Sequence, residues 1–135
     1  MSTQSTTSEY LLLFRGTKWD QGLSPAEIQK VMSDWMAWFE RLTQQGKVKS
    51  GRPLGDEGKI VSGKKGRMVT DGPFAESKEA VGGFFLLDVD GWDEAVEIAR
   101  ECPALSYGLT VEVRPVIQSC QIAQRAGLQL AHATA

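Results

Sequence analysis

Two stretches of this chain carry large apolar side chains on both sides of extended backbone, and no other feature limits the fold as strongly. Residues 10–15 read YLLLFR and residues 80–89 read AVGGFFLLDV. Successive side chains of a strand leave on opposite faces. Tyr10, Leu12 and Phe14 therefore take one side and Leu11 and Leu13 the other, while Phe84 and Leu86 oppose Phe85, Leu87 and Val89. Burying a side chain the size of Leu or Phe is worth about 1.5–3 kcal/mol, and several left wet on one face would form an adhesive patch. The chain has helical sequence enough to cover one face. The expectation is a homodimer in which the open faces of two sheets meet.

The remaining elements follow from local signals. Ser24-Pro25-Ala26-Glu27 supplies a capping hydroxyl, a proline where no N–H is missed and a glutamate to complete a capping box. Ile28, Val31, Met32, Trp35, Trp38, Phe39 and Leu42 follow at spacings of three and four, a wide apolar stripe that stops at Gly46. Lys47–Ser50 starts a second strand, Gly51–Gly55 turns the chain, and Lys59–Thr70 reads as a hairpin reversing at Gly63–Gly66. Gly72-Pro73 cannot sit in a central strand, so a rigid loop is expected there. After the strand at 80–89, Asp90 reads as an N-cap, Trp92–Cys102 as a second helix stopped by Pro103, and Gly108–Pro115 as the last strand. The order β-α-β-β-(β)-α-β, without repeat or linker, fits an α+β ferredoxin-like β-α-β-β-α-β sandwich better than a doubly wound parallel sheet.

Composition narrows the class. With 135 residues, 41% hydrophobic and 24% charged, the chain can bury the core of one domain and few disordered or fibrous classes fit. A net charge of −2 and an isoelectric point near 5.4 argue against a nucleic-acid partner, which needs a dominant basic face. No tract reaches the roughly 18 apolar residues of a spanning helix, so a membrane is not an expected partner either. Residues 1–8 are Ser/Thr/Gln-rich without the basic and apolar segments of a secretory signal, and read as a loose polar tail ahead of a domain at 9–116. Cys102 and Cys120 form no C-x-x-C pair and point to reduced thiols in the cytoplasm. Within residues 117–135, Ile117, Ile122, Ala126 and Leu130 would suit a weak amphipathic helix, and a tail with no fixed structure fits equally.

The string Asp71-Gly72-Pro73-Phe74-Ala75-Glu76-Ser77-Lys78-Glu79, followed by Gly82-Gly83-Phe84, resembles the signature of the YCII-related family in its DGPF-type branch. Gly51-Arg52-Pro53-Leu54, Asp93-Glu94-Ala95, Cys102-Pro103 and Val111–Val116 extend the resemblance over about residues 10–116. It implies a dimeric α+β barrel, in agreement with the two-faced strands. As to activity, most DGPF-type members have no assigned reaction, and many are encoded near extracytoplasmic-function sigma factors. Some other YCII-like proteins use a His-Asp pair in a cavity between helix and sheet, one of them in dehydrochlorination of a hydroxylated aromatic. Where such members carry that histidine this chain has Trp35, and its single histidine is His132. An indole N–H only donates a hydrogen bond, so acid–base chemistry here would fall to a carboxylate, lysine, tyrosine or water.

Asp71 is the candidate catalytic base, since it leads the loop that Pro73 stiffens; the competing reading is an aspartate that braces the loop through backbone N–H groups. Arg52 offers a planar fork for an anion, or an interchain salt bridge, and Lys78 is the member of the Glu76–Glu79 charged stretch suited to holding a ligand. Trp35 and Tyr107 are further ligand-binding candidates, against plain packing roles. Glu112 and Arg114 share a strand face as an ion pair. Between Lys47 and Arg67 stand seven cations and two carboxylates, a surface for an anion or an acidic protein, or a lysine-protected hairpin edge. No motif calls for a cofactor or has metal-ligand spacing. The functional expectation is a small polar or aromatic molecule bound between helix and sheet, with lyase- or isomerase-like proton transfer by Asp71 if it is transformed. The alternative is a non-enzymatic module contacting a regulatory protein, such as a sigma factor, through the basic hairpin.

Overall fold

The computed structural model describes residues 8–74, 77 and 79–128. Four strands form one antiparallel sheet in the order β2-β5-β1-β6, where β1 is Ser8–Arg15, β2 is Val48–Pro53, β5 is Val81–Val89 and β6 is Thr110–Pro115. Helix α1 (Pro25–Gln44) follows β1 and helix α2 (Trp92–Ala99) follows β5, which is the α+β ferredoxin-like arrangement. A separate two-stranded ribbon, β3 (Lys59–Ser62) and β4 (Met68–Asp71), is inserted between β2 and β5 and reverses through Gly63 and Gly66, both at positive φ.

Helix α1 begins where its capping box predicts. The Glu27 N–H donates to Ser24 Oγ at 3.1 Å, and the Ser24 N–H donates to Glu27 Oε1 at 2.8 Å. It ends as Gly46 adopts φ +73°, with the Lys47 N–H reaching back to the Leu42 carbonyl. Its stripe packs on the sheet face made by Tyr10, Leu12, Phe14, Phe85, Leu87 and Val89, with Leu12 and Leu87 wholly buried. Trp38 is buried in this layer, yet its indole N–H still donates to Glu101 Oε1 at 3.0 Å, an oxygen that also receives Arg41 at 2.7 Å. That satisfies the one polar atom a buried tryptophan carries.

The opposite face is assembled by register. Leu11 stands across from Leu86 and Leu13 across from Phe84, each half-buried within the single chain. Charged pairs ring them: Lys49 with Glu9 at 2.6 Å, and Arg15 with Glu112 at 2.5 Å. Arg114 also reaches Glu112, at 3.5 Å, so the expected strand-face pair exists but Arg15 is the nearer partner. No helix covers this face among the described residues.

Four local readings are corrected. Gly51, Arg52 and Pro53 continue β2 opposite Phe85, Phe84 and Gly83 instead of turning; β2 is an edge strand, where proline is tolerated, and Gly51 lets two aromatic rings close over the backbone. The N-cap of α2 is Gly91, while the Asp90 N–H donates to Glu94 Oε1 at 2.9 Å. Helix α2 ends at Ala99, and the following turn tucks in the Cys102 thiol ahead of Pro103. Ser8 belongs to β1, opposite Val89, and not to the polar tail; residues 1–7 lie outside the described residues. At the other end α3 (Gln121–Arg125) is a little over one turn long and buries Ala123 while Ile122 stays exposed. Ile117 precedes it, and Leu130 and His132 lie outside the described residues. Among the described residues no helix is long and apolar enough to cross a membrane.

Candidate ligand cavity

Where the aromatic end of α1 meets β2, β5 and the end of β1, the chain leaves a cavity of about 480 Å³. This lies within the range that holds small organic ligands. Its floor is Phe14 and Phe85, set edge-to-face with ring centroids 4.9 Å apart. Trp35 stands over Phe14 at 4.9 Å and 70°, and Phe39 leans on Phe85 at 5.0 Å. Trp19, from the loop after β1, forms another part of the wall, and Met32 and the largely exposed Met36 form the lip.

Glycines keep the space open. A Cβ on Gly83 would stand 2.9 Å from the Arg52 carbonyl oxygen, and one on Gly51 would stand 2.7 Å and 2.8 Å from ring carbons of Phe85 and Phe39. Side chains at those positions would fill or distort the floor, so both strands run bare where they approach.

The wall is apolar in character. Among the described residues it contains no carboxylate, lysine, histidine or tyrosine, and its polar members are Thr17, Arg52 and the two indoles. Arg52 enters through its strand position. Alternation along β2 puts Gly51 and Pro53 on the helix side and sets the Arg52 side chain on the other face, opposite Phe84. Among the described residues its guanidinium makes no ion pair.

The sequence-predicted site residues therefore separate. Trp35 lines the cavity and Arg52 touches it from the strand. Tyr107 is one layer removed, its ring 6.5 Å from that of Trp19. Asp71 lies on the exposed ribbon, 2.5 Å from Lys59 Nζ and outside the cavity wall. Lys78 and Glu76 lie outside the described residues. Of the seven cations between Lys47 and Arg67, Lys47 pairs with Glu94 at 2.7 Å, Lys49 with Glu9 and Lys59 with Asp71. Sequence reasoning missed Met36, Thr17, Trp19 and the two floor glycines as cavity residues. Met36 adjoins Met32, Trp35 and Phe39 on the helix surface, so its signal was an apolar stripe wider than one core needs. Among the described residues no cluster of His, Cys, Asp or Glu could hold a metal ion.

Three comparisons place the chain among known proteins. The family model described as "YCII-related domain" matches residues 9–119. A curated relative, "Uncharacterized protein R00369" of Rhizobium meliloti (strain 1021), is 44% identical over 50 residues, which is 36% of this chain and 40% of that protein. The match thus spans well under half of the relative's length. Among solved structures the chain is similar to the 5-chloro-2-hydroxyhydroquinone dehydrochlorinase of Burkholderia phenoliruptrix AC1100 in complex with 2,5-dihydroxybenzoquinone. That likeness has 16% identity, covers 84% of this chain and 97% of the other, and has a TM-score of 0.42.

Proposed function

This chain belongs to the YCII-related domain family, and within it we propose a protein that binds a small, planar, weakly polar aromatic molecule between α1 and the sheet. The observation that carries this reading is the cavity of about 480 Å³ with aromatic rings on its floor and walls and no ionised carboxylate or ammonium in its described lining. Such a wall rewards flat apolar surface, and edge-to-face ring contacts add about 0.5–1.5 kcal/mol each beyond burial. A cationic ligand would lose its hydration there without a carboxylate in the described lining to replace it.

Proton-transfer chemistry is the finer claim, and it needs an acid or base beyond the cavity lining. Asp71 is the candidate for that role, and Lys78 for steadying the anion that forms. The test uses 1-naphthol as probe and the fluorescence of Trp19 and Trp35 as readout. We expect saturable quenching in the parent protein, affinity about tenfold weaker in Trp35→Ala, equivalent to about 1.4 kcal/mol, and unchanged affinity in Asp71→Asn. Quenching that never saturates, or equal affinity in the parent and Trp35→Ala, would overturn the reading.

A further inference from the structure

The aromatic floor of the cavity is braced from behind by a side chain that does not line it. Trp38 is 2% exposed and stands outside the cavity wall, yet its ring centroid lies 4.9 Å from that of Phe85, 6.0 Å from that of Phe14 and 5.8 Å from that of Trp35. Those three rings are cavity residues. Close-packed side chains pass a displacement on to their neighbours. The plane of Trp38 therefore helps set where the three rings stand.

One carboxylate fixes that plane. An indole carries a single polar atom, and it is a donor. The Trp38 N–H donates to Glu101 Oε1 at 3.0 Å, and the same oxygen receives the Arg41 guanidinium at 2.7 Å. The backbone beneath this acceptor is also held. Glu101 lies in the turn after α2, where its N–H donates to the Ile98 carbonyl at 3.0 Å and the Cys102 N–H to the Ala99 carbonyl at 3.1 Å. Without the acceptor, the buried N–H would stay unsatisfied at a cost in free energy, or the ring would turn toward water and carry its neighbours with it. Glu101 itself lies outside the cavity lining, with 49% of its side chain exposed.

We infer that Glu101 is a positioning residue for the cavity: acting through Trp38, it sets the spacing of the Phe14, Phe85 and Trp35 rings and so the affinity for a flat ligand it never touches. The effect on affinity rests on the ligand-binding reading above, whereas the hold on Trp38 does not. The same turn has a rival route to the cavity, since the Leu109 N–H donates to the Ala104 carbonyl at 3.3 Å and Leu109 is a cavity residue. The two routes differ in whether the Trp38 N–H is needed.

The test compares the parent with Glu101→Gln and Glu101→Leu, each well below its melting transition. Affinity for 1-naphthol is read by quenching of tryptophan fluorescence, and near-UV circular dichroism reports ring packing without any ligand. A glutamine oxygen still accepts from the indole but makes no ion pair with Arg41, and leucine accepts nothing. Glu101→Gln should bind within about twofold of the parent and Glu101→Leu about fivefold more weakly, equivalent to about 1 kcal/mol. The near-UV spectrum should change in Glu101→Leu alone. In a Trp38→Phe chain, which has no N–H to hold, Glu101→Leu should alter neither affinity nor spectrum further. A Glu101→Leu protein that melts lower but keeps the parent's affinity and spectrum would show plain bracing of the two helices and overturn the proposal. A loss that persists in the Trp38→Phe chain would assign the effect to the turn before Leu109 and overturn it as well. If the parent itself fails to bind 1-naphthol, the cavity reading falls and the spectra alone decide the hold on Trp38: a change in Glu101→Leu that Glu101→Gln lacks upholds it, and no change refutes it.

Discussion

Substituting alanine at Gly51 tests whether the cavity floor is as closely built as the distances state. The added Cβ would stand 2.7 Å from a Phe85 ring carbon, 2.8 Å from a Phe39 ring carbon and 3.1 Å from the Phe84 carbonyl oxygen. Phe85 is buried and cannot yield, whereas Phe39 is half-buried beside open space and can swing into the cavity. Overpacking of this kind costs about 1–3 kcal/mol. Alanine returns about 0.4–1 kcal/mol by restricting the unfolded chain. The net loss should be about 1–2 kcal/mol, read as a lower urea midpoint with an unchanged slope. For a chain of this size that corresponds to a melting temperature lower by about 3–8 °C. Affinity for 1-naphthol should fall as well, since the displaced ring occupies the site. Gly83→Ala is the comparator. Its Cβ meets the Arg52 carbonyl at 2.9 Å, an atom of the strand ladder that cannot rotate away, so its loss should approach or exceed about 3 kcal/mol. A Gly51→Ala protein as stable as the parent, or a Gly83→Ala protein milder than Gly51→Ala, would refute the reasoning.

Two pH-dependent effects follow from the same packing. The Lys47 ammonium, at 2.7 Å, and the Asp90 N–H hold the Glu94 carboxyl below its ordinary value. The stability it contributes is present above the unfolded carboxyl's pKa and is lost as pH falls through the lower folded value. Glu94→Gln should therefore lower the melting temperature at pH 7, and the difference from the parent should shrink on acidification below about pH 4. Burial pushes the Cys102 thiol up to about 11 from an ordinary 9.0. Its neutral form is favoured on folding, so that contribution is complete below pH 9 and is lost as pH rises to about 11. At pH 8 iodoacetamide should modify Cys120 and spare Cys102 in the folded protein, as peptide mass mapping would show; equal labelling would contradict the burial.

Much of the scaffold could be read from single positions, and the failures have physical causes. The capping box at Ser24 and the glycine at 46 bound α1 because both signals act within a few residues of chain. The two-faced apolar runs placed β1 and β5 for a similar reason. Gly51-Arg52-Pro53 was harder: the residues that favour a turn are also those an edge strand needs beneath two aromatic rings, and only the tertiary neighbours tell them apart. The site divides along the same line. Trp35 was legible because helical spacing turns it toward the sheet. Asp71 was expected at the cavity, but its place depends on where an inserted ribbon projects, which no local pattern encodes. Met36 belongs to the lip because the helix overhangs the sheet, again a property of packing.

The alternation of β5 has an outcome for how such a protein can diverge. Phe85 belongs to the cavity, while its immediate neighbours Phe84 and Leu86 belong to the face that no helix covers among the described residues. Exchanges at Gly83 and Phe85 alter the cavity wall and leave the outward surface intact, and exchanges at Phe84 and Leu86 do the reverse. Loss of a single residue in the middle of that strand would swap both duties at once, so length variation there should be purged while side-chain variation is free to explore.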